Sequence, residues 1–406
     1  MTTPLVDAPA RGFRAPGTTF MISGGIMGAL GAYVFQVYGG RVLGTVGFAP
    51  VAALWTVFFI LATILLVPVE QYVTREVASG RKALPHDLKP AMAMAAIGSV
   101  LGGVFVLVTL DRLFEGNPQY VAHIILLMVG YAFLFVGKGV LAGRRRFAGV
   151  GWVLIIETVA RLAAGVIALQ LLASGASLGW SMVLGGFAVL GMRWWRHDTG
   201  ESRVRHLPAS RFLAGYAGGT ASSQLLLGGA PIAVAALGGS DALFSVIFVT
   251  FTLYRAPLTL IFALQGRILP YLVGLAGDSS FEKLSRIARI VVLGGLGLAA
   301  AGGLVGWVIG PEVVTVLFGE EFAPSATVAM LAAAGVVAAA TAQVASQVLV
   351  AEGRTTRLSF AWLGGLVVGV VVLIVVGGEV GTRVATGFVA GEAAALGLMA
   401  LLAIRR

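Results

Sequence analysis

The chain is a succession of apolar stretches, each about 20 residues long, joined by short polar connections. No motif in it constrains the fold as strongly. A helix of about 20 apolar residues matches the ~30 Å hydrocarbon layer of a bilayer. Backbone in lipid has to satisfy its own hydrogen bonds, so stretches of this kind are read as helices. The short alternating segments of a membrane β-barrel are absent. Twelve spans are expected, at 18–40, 46–74, 91–110, 119–141, 148–173, 177–192, 212–237, 241–266, 285–309, 324–351, 358–377 and 382–403. Only 11% of residues are charged, against about 25% in a soluble domain. Mean hydropathy is +0.95. The expected fold class is therefore all-α and polytopic in a membrane.

The basic residues set the expected topology. Lys and Arg gather in alternate connections: Arg75, Arg81 and Lys82; Arg144, Arg145 and Arg146; Arg267 and Lys283; Arg354 and Arg357. Arg41, Arg112 and Arg383 fall in the opposite set. Positive loops stay inside, so both termini are expected in the cytoplasm and the protein in the cytoplasmic (inner) membrane. The net charge of +10 is read as this signal, with no nucleic-acid partner. Arg11 and Arg14 ahead of the run 18–40 resemble a signal peptide, but that run is long enough to span and is expected to be retained. The chain has no cysteine, and its four histidines have no metal-ligand spacing. No metal and no cofactor is expected.

A basic linker, 193–211, carries Arg193, Arg196, Arg203, Arg205 and Arg211 and separates residues 1–192 from 212–406. Each side holds six expected spans, and short pairs recur in the same order: Gly24-Gly25 with Gly218-Gly219, Leu43-Gly44 with Leu237-Gly238, Leu113-Phe114 with Leu317-Phe318, and Gly143-Arg144 with Gly353-Arg354. An even number of spans per copy makes the repeats parallel. Two such lobes around a central cavity imply alternating access. Gly24 and Gly28, like Gly215 and Gly219, have spacing that either lets helices slide or simply packs them closely.

Charge inside a span is costly and points to a cavity or a partner. Arg255 lies near the centre of the eighth span with no partner near it in sequence. Arg161 and Glu157 lie four residues apart, on one helix face, as a binding pair or a structural one. Lys138 is either a cavity residue or a snorkelling one. Glu392 is either a coupling-ion carboxylate or the partner of Arg255; Glu157 is the other coupling-ion candidate. Arginine binds phosphate bidentately and keeps its charge. Three cations against two carboxylates favour an anionic cargo. Arg75 and Arg267 occupy matching inner span ends, as guards of the inner mouth or as topology anchors.

Several segments resemble the polysaccharide repeat-unit flippases of the multidrug/oligosaccharidyl-lipid/polysaccharide exporter superfamily. Arg41 through Phe48 is similar to their R-x-L-G-x-x-x-F/Y turn. Leu317 through Pro324 is similar to their L-F-G-x-x-F-x-P loop, and Glu352-Gly353-Arg354 to their A-x-G-R turn. Arg75 resembles an arginine found there in that family. The resemblance implies two six-helix lobes, a V-shaped cavity and movement of a lipid-linked saccharide between leaflets. Arg41, Arg75 and Gly353-Arg354 are carried over by motif. The expected substrate-binding set is Arg255, Arg161, Lys138, Arg75, Arg41 and Arg267. The expected partners are an anionic lipid-linked saccharide, membrane lipids and the glycosyltransferases or polymerase of the same pathway. The competing readings are a cation-coupled multidrug antiporter and a non-catalytic partner of a polysaccharide synthase complex. An enzyme would need a sizeable outer loop to carry catalytic groups, and no expected loop is long enough.

Overall fold

The computed structural model describes residues 17–78, 88–192, 209–258, 281–351 and 354–404. Among them the chain is helical throughout, with no strand. In the first half, α1 runs Thr18–Leu61, α2 Val67–Ala78, α3 Leu88–Val108, α4 Leu110–Leu113, α5 Gln119–Gly143, α6 Phe147–Leu172 and α7 Gly175–Ala188. In the second, α8 runs Ala209–Gly228, α9 Ala230–Ala236, α10 Asp241–Tyr254, α11 Phe281–Phe318, α12 Ala326–Ala351, α13 Thr355–Val375 and α14 Val380–Ile404.

The long helix α1 is two legs. Gly44 takes φ 68° and ψ 177°, a backbone region open to glycine, and the chain turns there. The second leg continues through a π-helical turn, Ala62–Leu66, into α2. Gly238, at the matching place in the second half, also has positive φ, 83°. Among the described residues nine helices are long and apolar enough to cross a membrane, the first being the stretch Thr18–Ala78 that turns at Gly44. A shorter apolar helix covers Gly175–Gly191. The expected seventh span is broken at Gly229 into α8 and α9.

Helices pack mainly within their own half: α1 on α6, α3 on α5 and α6 on α7; then α11 on α12, α12 on α14 and α13 on α14. Glycines make these contacts close. A Cβ at Gly369 would lie 3.0 Å from the Gly387 carbonyl, and one at Gly387 would lie 2.9 Å from the Gly369 carbonyl. Between halves, α1 meets α10 and α2 meets α8. The outer faces are apolar: Val108 is 80% exposed, and Leu171 and Val375 are each 76% exposed. Such faces suit lipid rather than water. The protein is a multi-pass membrane protein.

Two ends can be told apart. The basic turns at Arg144–Arg146 and Arg354–Arg357 lie at one, where Arg354 and Arg357 reach the Leu402 carbonyl near the end of α14. The opposite, distal end holds the Gly44 turn and the α11–α12 connection, which touch each other.

Candidate functional site: a cavity between the halves

Four helix faces line a partly open cavity of about 250 Å³. Ala29, Ala32, Tyr33 and Gln36 line it from the first leg of α1, and Phe248, Phe251, Thr252 and Arg255 from α10. Both sets have the spacing i, i+3, i+4, i+7, which puts them on one side of a helix. Trp55, Thr56 and Phe59 contribute from the second leg, and Leu227, Gly228 and Pro231 from the break between α8 and α9. The walls thus come from both halves of the chain. The Tyr33 hydroxyl donates to the Thr252 carbonyl at 3.1 Å and ties them together beside the cavity.

Arg255 closes α10. Pro257 follows two residues later and has no backbone N–H to donate, so the helix is interrupted at Arg255 before it resumes over 256–258. The guanidinium lies 5.6 Å from the Phe251 ring centroid. Its Nε and Nη2 are buried and have no hydrogen-bond partner among the described residues. It is the one charged residue among those lining the cavity. Glu392, on α14, is completely buried, and neither of its oxygens has a hydrogen-bond partner among the described residues. Arg255 and Glu392 interact electrostatically, yet no salt bridge joins them. The side-chain oxygen of Gln36 is also buried and unpartnered at the cavity wall. The cavity therefore offers a cation, an amide and aromatic surfaces, with no carboxylate among the described residues of its lining.

The other expected site residues are placed differently. Arg161 bonds Glu157 at 2.9 Å, inside the first half. Tyr131 and Thr158 also donate to Glu157, at 2.7 and 3.1 Å. The Arg161 guanidinium lies 5.6 Å from the Phe35 ring and 5.1 Å from the Trp55 ring. This network stands behind the Trp55 wall rather than in the cavity. Lys138 is paired with Glu70 at 2.8 Å and lies over the Phe135 ring. The sequence count of three cations against two carboxylates omitted Glu70, and with it the excess disappears. What distinguishes Arg255 among the described residues is that it lines the cavity and has no ion pair within salt-bridge distance. Arg41 is exposed and binds backbone carbonyls at the end of α11. Arg75 is exposed on the last turn of α2, outside the cavity lining. Arg267 lies outside the described residues, as do Glu352 and Gly353.

Sequence reading did not single out Tyr33, Gln36, Trp55 or Thr56. A glutamine in the middle of the first span was the available signal, because an amide there needs a partner or a wet cavity.

No protein-family model matches the chain. An uncharacterized protein of Mycobacterium tuberculosis (strain ATCC 25618 / H37Rv) is 28% identical over 359 residues, 84% of this chain and 81% of its own length. A counterpart in Mycobacterium bovis matches to the same extent. Among solved structures, an inward-facing multidrug resistance MATE family transporter of the MOP superfamily superposes with TM-score 0.65 at 14% identity, covering 95% of this chain and 97% of that one. A mutant of the Vibrio cholerae MATE transporter VcmN gives 0.60 at 16% identity, covering 96% and 95%. A MOP superfamily transporter from Pyrococcus furiosus, described as having a binding pocket of reverse polarity, gives 0.62 at 16%, covering 95% and 93%. The fold is that of MATE transporters of the MOP superfamily.

Proposed function

We propose that this protein, which has the fold of membrane transporters, exports an anionic lipid-linked saccharide across the cytoplasmic membrane by alternating access. Arg255 receives the phosphate or pyrophosphate of the head group. The observation that carries this reading is a guanidinium with two nitrogens unsatisfied, at the wall of a cavity whose lining holds no carboxylate among the described residues. Desolvated donors left open strongly favour an incoming anion, and a planar guanidinium fits phosphate oxygens two at a time. Trp55, Tyr33 and Phe59 supply flat apolar faces for sugar rings, and Gln36 supplies an amide. The lipid tail stays in the bilayer beside the cavity. The basic end faces the cytoplasm, by the positive-inside rule. Glu392, buried and unpartnered, is the coupling-ion candidate; Glu157 is already held by three donors.

A cation-coupled multidrug antiporter of the same fold is the second reading, favoured by the MATE neighbours. A cationic drug would need a carboxylate at the cavity wall, and Glu157 and Glu392 do not line it.

Binding to the solubilised protein separates the two. A polyprenyl-pyrophosphate saccharide should bind the wild type and lose at least tenfold in affinity with Arg255→Ala. Arg255→Lys should recover part of the loss, as a point charge without the fork. Tight binding of a cationic dye that improves in Arg255→Ala would support the antiporter and overturn the flippase reading.

A further inference from the structure

The segments that carry the sequence resemblance, Arg41–Phe48 and Leu317–Pro324, touch each other across the two halves. Arg41 ends the first leg of α1. Its Nε donates to the Leu317 carbonyl at 2.6 Å, and its Nη2 donates to the Val316 carbonyl. These belong to the last turn of α11, whose final carbonyls have no partner within the helix. The Gly319 N–H takes the Thr315 carbonyl, at 2.8 Å. The cation of one half thus completes the C-terminal cap of a helix in the other.

The reverse arrangement lies beside it. The second leg of α1 starts after Gly44. The Glu321 carboxylate stands where a Gly44 side chain would go, its oxygens 3.2 and 3.4 Å from that Cβ position. An acid from the second half therefore faces the start of a helix in the first. Each charge has the sign that the helix end it meets prefers. Beneath them the Ser245 hydroxyl donates to the Thr45 carbonyl at 2.6 Å, buried from solvent. The Phe48 ring packs against Phe248 and Phe322, with centroids 6.0 and 6.3 Å away.

We infer that Arg41 and Glu321 form a reversible latch that holds the distal ends of the two halves together, and that Arg41 acts on this conformational equilibrium rather than on cargo. Opening the cavity to the distal side has to part α1 from α10 and α11, which removes the Arg41 cap from α11 and the Glu321 carboxylate from the start of the second leg. Arg41 and Glu321 are exposed, so water can hydrate both charges and the carbonyls of α11 when the halves separate. The buried Ser245–Thr45 bond and the Phe48 cluster close the path while the latch holds. This inference is independent of what the cavity carries.

The natural chain has no cysteine, so one engineered thiol reports access without background. Ala32→Cys places it in the cavity wall. Arg112→Cys, in the exposed α4 turn, marks the distal side. Full-length protein in sealed vesicles of both orientations would be treated with a membrane-impermeant maleimide. In the orientation that labels Arg112→Cys, adding Arg41→Gln or Glu321→Gln to Ala32→Cys should speed labelling several-fold. Arg41→Lys should have a smaller effect. Bridging Arg41→Cys to Val316→Cys with a short bis-maleimide, before the reporter is exposed, should suppress that labelling. Unchanged labelling in both glutamine variants, with elution and thermal unfolding like the wild type, would overturn the latch. So would a reporter that remains fully accessible after bridging. Neither result touches the assignment of Arg255, because no cargo is used.

Discussion

Three basic residues within the spans have three different surroundings. Arg161 is neutralised one turn away by Glu157 and framed by Phe35 and Trp55. Lys138 is neutralised by Glu70, from another helix. Arg255 keeps two nitrogens without partners at a cavity wall. The first two are expected to matter for stability and the third for cargo. Glu70→Gln should lower the unfolding temperature by stranding the Lys138 ammonium. Its cost should fall below the ~3–5 kcal/mol of breaking a fully buried pair, because the two side chains keep 16% and 17% of their exposure. Glu70→Met with Lys138→Met should recover most of that loss, since apolar replacement of both partners removes the desolvation penalty. Calorimetry in detergent reads both effects, and cargo binding should stay at the wild-type level. The sequence made the buried cations legible, because charge in an apolar run stands out. Their partners were legible only where they were local: Glu157 is four residues from Arg161, whereas Glu70 is 68 residues from Lys138. Pairing at that separation is decided by helix packing, which apolar periodicity does not encode.

At the scale of elements, span positions followed closely from hydropathy. The expected second span begins at 46, just beyond the Gly44 turn, and the expected fourth and fifth spans nearly coincide with α5 and α6. The interruptions were less legible. The π-turn at Ala62–Leu66 is followed by Pro68, which has no N–H to donate to the Ile64 carbonyl in an α-helical ladder. The break at Gly229 was foreshadowed by Pro231, which sits at the start of α9. Gly44 and Gly238 were noted as a repeated Leu-Gly pair, and their positive φ gives the pair a conformational reason. Gly44→Ala should therefore destabilise by about 1–3 kcal/mol through backbone strain, with crowding of the Glu321 carboxylate adding to it. Gly25→Ala is the control. A Cβ there meets nothing within 4 Å, and the backbone is helical. Alanine should leave stability unchanged or raise it by up to about 1 kcal/mol. An equal loss in both variants, read by thermal unfolding, would contradict the assignment of strain to Gly44.

At the scale of the molecule, the proposed function depends on a cavity walled by both halves, with Arg255 at its wall. The walls belong to helices of both halves, so under the proposed alternating access the surroundings of Arg255 would change with conformation. Filling the cavity tests this without touching a charge. Ala32→Trp should block cargo movement while leaving the protein folded, because the indole would occupy much of the roughly 250 Å³ beside Gln36 and Arg255. Wild-type transport by that variant would place the route elsewhere. The central claim is that the unpartnered guanidinium of Arg255 selects a negative cargo. Its most direct test is transbilayer movement in proteoliposomes of two lipid-linked sugars that differ only in a pyrophosphate or a neutral linkage, with wild-type and Arg255→Ala protein. The account predicts that wild-type protein moves the pyrophosphate form at least tenfold faster than the neutral one, and that Arg255→Ala abolishes this preference. Equal rates for both lipids in the wild type, or a preference that survives in Arg255→Ala, would contradict it.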